Sequence, residues 1–338
     1  MSIVNKNIRY SPKAELVEKA FNCAVPLNNT RQLFIIDGKG ENSNGFNYSL
    51  EKNVVEEKLL QVIAVREDAN IPSLEYKSNI NLASNSSAKL LFCSHTITLN
   101  DFKTKENIIV NLEQGANLDL VIMQNEHNRS IHSSDIEINM AADAVLKLYL
   151  ITLHGGEISN KMDINFNGKG AEAYVNGLYL AGGEQKVSTT VNVYHRVPNC
   201  TSKQLFKGIL EDNSQTFFNG TVYVEKDAQK TQAYQANNNI LSSPEARAYT
   251  QPHLEIYADD VKCSHGATIG SLDENELFYM RSRGIELAEA KLLQQQAFAS
   301  AVLNGISNEQ LKERLMSLVE SRLRGEFSHC SNCSKHCC

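Results

Sequence analysis

A repeat constrains this 338-residue chain more than any other feature. The run Ile108-Ile-Val-Asn-Leu-Glu-Gln-Gly-Ala-Asn-Leu-Asp-Leu120 returns 28 residues later as Ile136-Glu-Ile-Asn-Met-Ala-Ala-Asp-Ala-Val-Leu-Lys-Leu148. Matching positions are Ile108 with Ile136, Val110 with Ile138, Leu112 with Met140, Ala116 with Ala144, Leu118 with Leu146 and Leu120 with Leu148. Another 28 residues on stand Ile164-Asn-Phe166 and then, after a one-residue deletion, Ala171, Ala173 and Val175. Further starts fall at Val191-Asn-Val193, Val222-Tyr-Val224 and Leu254-Glu-Ile256, at intervals of 27, 31 and 32. Each unit reads as two short alternating strands joined by a turn containing Gly, Asn, Asp or Ala.

Such units lack the 3.6-residue stripes of a helical solenoid. They suit a mainly β fold, a right-handed parallel β-helix in which each coil stacks on the last and alternate residues fill a narrow core. The small residues Ala116, Ala144 and Ala171 fit its tight corners. A β-sandwich is the competing architecture, but sandwiches rarely repeat so regularly. The repeat places the β-helix core at 76–270. An N-terminal mixed or helical cap is expected over 1–75, because Pro12–Asn22 and Ser49–Val65 carry helical periodicity and charge. A C-terminal helical domain is expected over 271–325. It begins with a helix from Asp273 to Arg281, ended by Gly284, and a second from Glu286 to Asn304, stopped by Gly305. Ser307-Asn-Glu-Gln310 reads as a capping box opening a third helix. This helical hairpin is expected to cap the solenoid end. Residues 326–338 form a Cys/His-rich tail.

The formal charge is −6, from 33 basic and 39 acidic residues, with no long basic run, which argues against a nucleic-acid partner. Met1–Ala20 is charged throughout and has no apolar core of a signal peptide. No stretch approaches 18 apolar residues, so no membrane span and a cytoplasmic setting are expected. Of eight cysteines, Cys23, Cys93, Cys200 and Cys263 are scattered. Cys330, Cys333, Cys337 and Cys338 crowd the end, and reduced thiols are expected.

Two groups carry ligand chemistry. Cys263 and His265 lie at the junction between β-region and helices. In an extended segment residues i and i+2 share a face, so a thiolate and an imidazole would present together, a donor pair suited to iron or zinc. One chain offers too few nearby ligands to close a site there, so a site shared with a partner follows. The alternative is a core-filling Cys and a His satisfied by a backbone carbonyl. In the tail, His329, Cys330, Cys333, His336, Cys337 and Cys338 supply a dense set of soft donors. They suit zinc, copper or an iron–sulfur species, or else form a redox-sensitive tail with no defined ligand. His195 with Cys200, and His253, read as turn-packing residues. Leu153-His-Gly-Gly156 and Leu180-Ala-Gly-Gly183 lack the Gly-Lys-Ser/Thr of a phosphate loop and read as coil corners, so no ATP site is expected in this chain.

His195-Arg-Val-Pro-Asn-Cys-Thr-Ser202, Phe206-Lys-Gly208, Phe218-Asn-Gly220, Ala228-Gln-Lys-Thr231, Pro252-His-Leu-Glu-Ile256 and the junction from Ala258 to Ile285 together resemble the SufB/SufD family of iron–sulfur cluster assembly proteins. The likeness runs from roughly Ala173 to Leu303. Cys263-Ser-His-Gly-Ala-Thr268 and Phe278-Tyr-Met-Arg-Ser-Arg-Gly284 are most like the SufD branch. In the SufB branch a cysteine typically stands where this chain has Met280. The chain also departs from the family in its short N-terminal part, its lack of Trp and its Cys-rich tail.

The resemblance implies a β-helix flanked by helical domains and a non-catalytic scaffold subunit. Its partners would be a SufB-like paralogue, met through the β-helix, and a SufC-like ABC ATPase. The ATPase would dock on the C-terminal helices, with Leu277, Phe278, Tyr279, Arg281, Arg283 and Gly284 as the contact region. Iron and a transient iron–sulfur cluster would be held at the paralogue interface, with His265 as ligand and Cys263 assisting. ATP-driven closure of the ATPase pair would shift that interface. A homodimer through the lateral surface is a further expectation for the isolated chain. Two rivals stand beside this reading. One is a metal carrier or storage protein acting through the tail. The other is a β-helix carbohydrate-active enzyme, disfavoured because Asp and Glu fall irregularly in the repeat and aromatics make up only 7%.

Overall fold

The computed structural model describes residues 27–325 except 28, 29, 41–43, 97 and 99. Two parallel sheets face each other. One has nine strands in the order β1 (Arg31–Ile36), β3 (Leu60–Arg66), β5 (Ser87–Thr96), β7 (Asn117–Asn125), β9 (Val145–His154), β11 (Glu172–Ala181), β13 (Thr201–Leu210), β15 (Gln232–Leu241) and β17 (Lys262–Gly270). The other has eight. Its order is β2 (Gly45–Leu50), β4 (Ser73–Leu82), β6 (Phe102–Leu112), β8 (Ser130–Met140), β10 (Glu157–Phe166), β12 (Lys186–His195), β14 (Gln215–Val224) and β16 (Arg247–Ile256). Successive strands alternate between the sheets, so each pair makes one coil and the parallel β-helix stands.

The even strands alternate because one face meets the lumen and the other meets water. In β8 the residues Ile136, Ile138 and Met140 are buried inward while Glu137 and Asn139 point out. Ala116, Ala144 and Ala171 are fully buried in the corners, as their size requires. Ile108 pairs with Ile136 and Ala116 lies level with Ala144, in the register that the repeat gives. One coil is shorter than the repeat suggests: Ile164 pairs with Ile138, not Ile136. The slip is two residues, so every side chain keeps its face.

The odd strands are different: β3 is buried at all seven positions. One face fills the lumen. The other supports a second core, in which Leu91, Val121, Tyr149, Ile151, Leu178 and Ile209 meet Ala299, Val302, Leu311, Leu315 and Leu318. Those partners come from helices α2 (Leu287–Leu303) and α3 (Glu309–Leu323), preceded by α1 (Glu274–Ser282). The helical hairpin therefore lies along the flank of the odd sheet and does not cap the solenoid end as expected. Burial of the sheet's second apolar face is the reason. Arg322 fastens it, its Nε donating to the Leu153 carbonyl (3.0 Å) and an Nη to Gln185 Oε1 (3.1 Å).

Two further expectations are corrected. The solenoid starts at Arg31, and Ser49–Val65 holds the end of β2, a loop and most of β3, with no helix. Pro12–Asn22 lies outside the described residues. Asn308, not Ser307, caps α3: its Oδ1 accepts from the Leu311 N–H at 2.9 Å. Ser307 instead donates to Asp119 on β7, a tether that the capping-box reading could not contain. Asp273 caps α1 through the N–H groups of Asn275 and Glu276. Gly284, at φ +89°, closes it.

Candidate functional site

The last coil ends openly. β16 and β17 are the terminal strands of their sheets, and β17 is exposed at every position except half-buried Cys263. An unpaired strand edge is a template for another chain. Apolar residues surround it: Ile256 (39% exposed), Tyr257 (57%) and Ile269 (46%). Phe217 and Tyr249, stacked at 4.8 Å on the outer face of the even sheet, extend the apolar surface away from it.

Cys263 and His265 sit on β17 with their expected common face. In register, Cys263 follows Ala233 and His265 follows Gln235, both lumen-facing residues of β15. The two donors therefore share the lumen side of the terminal strand, at the place where the next coil would stack. Cys263 packs against the main core, and burial pushes its thiol up while the Ala233 backbone opposes this. His265 is exposed and lines a groove of about 550 Å³ with Tyr174, Lys203, Gln204, Tyr234 and Gln235. Among the described residues no group of three His, Cys, Asp or Glu side chains is arranged to hold a metal ion. Two donors leave at least two tetrahedral positions to be filled from elsewhere.

The other site residues separate. Phe278 (73% exposed) and Tyr279 (59% exposed) stand on α1, a helix with no buried residue. Arg283 stacks on Tyr279, 5.2 Å from its ring centroid, and donates to its hydroxyl at 3.1 Å. Arg281 and Gly284 are exposed and Leu277 is half-buried. A cleft of about 710 Å³ between α1 and α2 is lined by Leu272, Tyr279, Met280, Leu293 and Phe298. The tail donors His329, Cys330, Cys333, His336, Cys337 and Cys338 lie outside the described residues. His195 ends β12 inside the lumen, stacked on Phe166 at 4.4 Å with Nε2 against Ser202 Oγ at 2.8 Å. Burial pushes it down to about 4, which suits a neutral packing residue. His253 is exposed within β16, in a strand where a turn was expected. Gly183, at φ +60°, is a coil corner as its sequence suggested.

Sequence reading missed two groups in the lumen. Gln204 and Gln235 form an amide ladder beneath His265. Farther along, His132 lies between Glu126 (Nδ1 to Oε1, 3.0 Å) and Glu106 (Nε2 to Oε2, 3.7 Å), all three buried. Both were findable, since each falls on an inward position of the alternating pattern where an apolar side chain is the rule.

Comparison with known proteins accords with this geometry. The SufBD core domain of the SUF system for FeS cluster assembly matches residues 66–298. The chain is 32% identical over 257 residues to the iron-sulfur cluster assembly protein SufD of Escherichia coli, covering 75% of this chain and 60% of that protein. An iron-sulfur cluster assembly SufBD family protein of Mycobacterium leprae is 30% identical over 226 residues, 64% of this chain and 58% of that one. SufD of Bacillus subtilis is 26% identical over 314 residues, 92% of this chain and 71% of that protein. The chain thus spans about three-fifths of the length of the first two relatives. No helix among the described residues is long and apolar enough to cross a membrane.

Proposed function

This chain belongs to the SufBD family of iron–sulfur cluster assembly proteins, and from that premise we propose that it is a non-catalytic, SufD-like scaffold subunit of a SUF complex. A single observation carries the reading: Cys263 and His265 share the lumen face of a terminal strand whose edge is unpaired. A SufB-like paralogue stacking on β16 and β17 would complete the sheets and close over the two donors. Its own ligands would supply the remaining coordination positions, so the site exists only in the assembly. Iron is the cargo. The His265 imidazole binds it, and the raised thiol of Cys263 becomes a ligand when the metal displaces its proton.

The exposed aromatic face of α1 is the proposed seat of a SufC-like ATPase. Because α2 and α3 pack on the odd sheet, a pull on α1 would be transmitted to the coils that carry β17. Chemistry at a distance needs such a rigid link.

The test is co-purification with SufB-like and SufC-like partners, wild type against His265→Ala, followed by anaerobic iron and sulfide assay. Complex in both, with cluster only in the wild type, supports the scaffold. Failure of the wild type to form a complex contradicts it, and cluster retained by His265→Ala contradicts the site.

A further inference from the structure

One lumen stack changes character toward the open end. In register it reads Leu148, Val175, Gln204, Gln235, His265, from β9 through β17. The first two are apolar. The last three are a run of side chains able to pass hydrogen bonds from one coil to the next.

Gln204 and Gln235 are each 3% exposed. Gln235 Nε2 donates to Gln204 Oε1 at 3.1 Å. Its own Oε1 has no hydrogen-bond partner in the buried lumen. An unpaired buried carbonyl is destabilising, so a retained one needs a use. The lumen also makes room for this amide: a Cβ at Gly220 on β14 would stand 2.2 Å from Gln235 Nε2. In a stacked amide ladder the donor of one rung serves the acceptor of its neighbour. The next rung above Gln235 is His265.

We propose that Gln235 is the positioning residue for His265: its Oε1 accepts one imidazole N–H, fixing the tautomer and turning the other ring nitrogen outward to iron. The proposal rests on the interface-site reading above and names a residue that acts through His265, without touching metal. Histidine ligands generally donate their second ring N–H to an oxygen acceptor. Here the acceptor is already built, buried and vacant. Gln204 holds Gln235 in turn, so the orientation is set from inside the solenoid before a partner arrives.

The experiment measures Fe²⁺ retained anaerobically by the full complex, for wild type, His265→Ala, Gln235→Leu and Gln235→Glu. The iron lost in His265→Ala defines this site's share. Gln235→Leu keeps the lumen filled but removes the acceptor, and should weaken that share about ten- to a hundredfold with the complex intact. Gln235→Glu restores an acceptor and adds charge. It should rescue binding, because the carboxylate oxygen can accept the same imidazole N–H. A purely structural Gln235 would lose the complex together with the iron. Unchanged iron in Gln235→Leu, with iron lost in His265→Ala, overturns the positioning role and leaves the interface site standing. Should Gln235→Leu fail to fold, a Gln235→Glu complex that forms but loses the iron overturns the role alone. Iron retained by His265→Ala instead removes the site itself.

Discussion

His132 has no part in the proposed chemistry, yet it is the residue whose environment is most unusual. Burial alone would push it down, but Glu126 and Glu106 outweigh burial and hold it up at about 10. Arg66, Tyr76 and His127 complete the surrounding polar cluster. The imidazolium donates to Glu126 and to Ser134 Oγ, the latter at 2.9 Å. Its folded pKa lies above the unfolded value of about 6.5. The stability it contributes is therefore complete below about pH 6.5 and lost as pH rises toward 10. Between pH 7 and 9 the folded state holds a proton that the unfolded state lacks, so unfolding free energy should fall by up to about 1.4 kcal/mol per pH unit from this group. Urea midpoints at pH 7 and 9 check it: the drop should be present in wild type and markedly smaller in His132→Gln. An equal slope in both would contradict the assignment. His132→Gln should also cost about 3–5 kcal/mol at pH 7, since it strands a buried carboxylate. Sequence showed His265 and Cys263 because strand geometry alone puts i and i+2 on one face. The alternation marks Gln235 as an inward polar residue, but its meaning depends on the coil above and the coil below.

Among the elements, the even strands were the legible ones. Their outer faces meet water, so inward apolar residues alternate with Glu, Asn and Lys and announce the repeat. The odd strands hide. Leu59-Leu-Gln-Val-Ile-Ala-Val65 is buried on both faces, and a continuous apolar run does not distinguish strand from helix. That is why Ser49–Val65 resembled a helix. The same runs, Leu90–Cys93 and Leu120–Met123, held the missed signal that something covers the odd sheet. Helix α1 stands apart because it buries nothing. Phe278→Asp should therefore change stability by no more than about 0.5 kcal/mol. It should nevertheless abolish capture of the SufC-like ATPase in a pull-down. Retained capture would move the docking surface elsewhere; a large loss of stability would show that Phe278 packs within this chain.

For the molecule as a whole, the distribution of covered and uncovered surface is what counts. The helices cover the middle strands of the odd sheet. The even sheet shows water a ladder of asparagine amides running Asn165, Asn139, Asn111, Asn81, each donating to the next at 2.9–3.2 Å. Such a hydrogen-bonded polar face has little to gain from a partner. The end formed by β16 and β17 keeps free strand edges, exposed Tyr257 and Ile269, and the Cys263–His265 pair. Amide hydrogen exchange on this chain with and without a SufB-like paralogue tests that contrast directly. Slowed exchange concentrated in Arg247–Ile256 and Lys262–Gly270 is the expected result, because a stacked coil would take up their free N–H groups. Slowing confined to the asparagine face or the helices, with both terminal strands unchanged, would contradict the open end as the place where the cluster site is assembled.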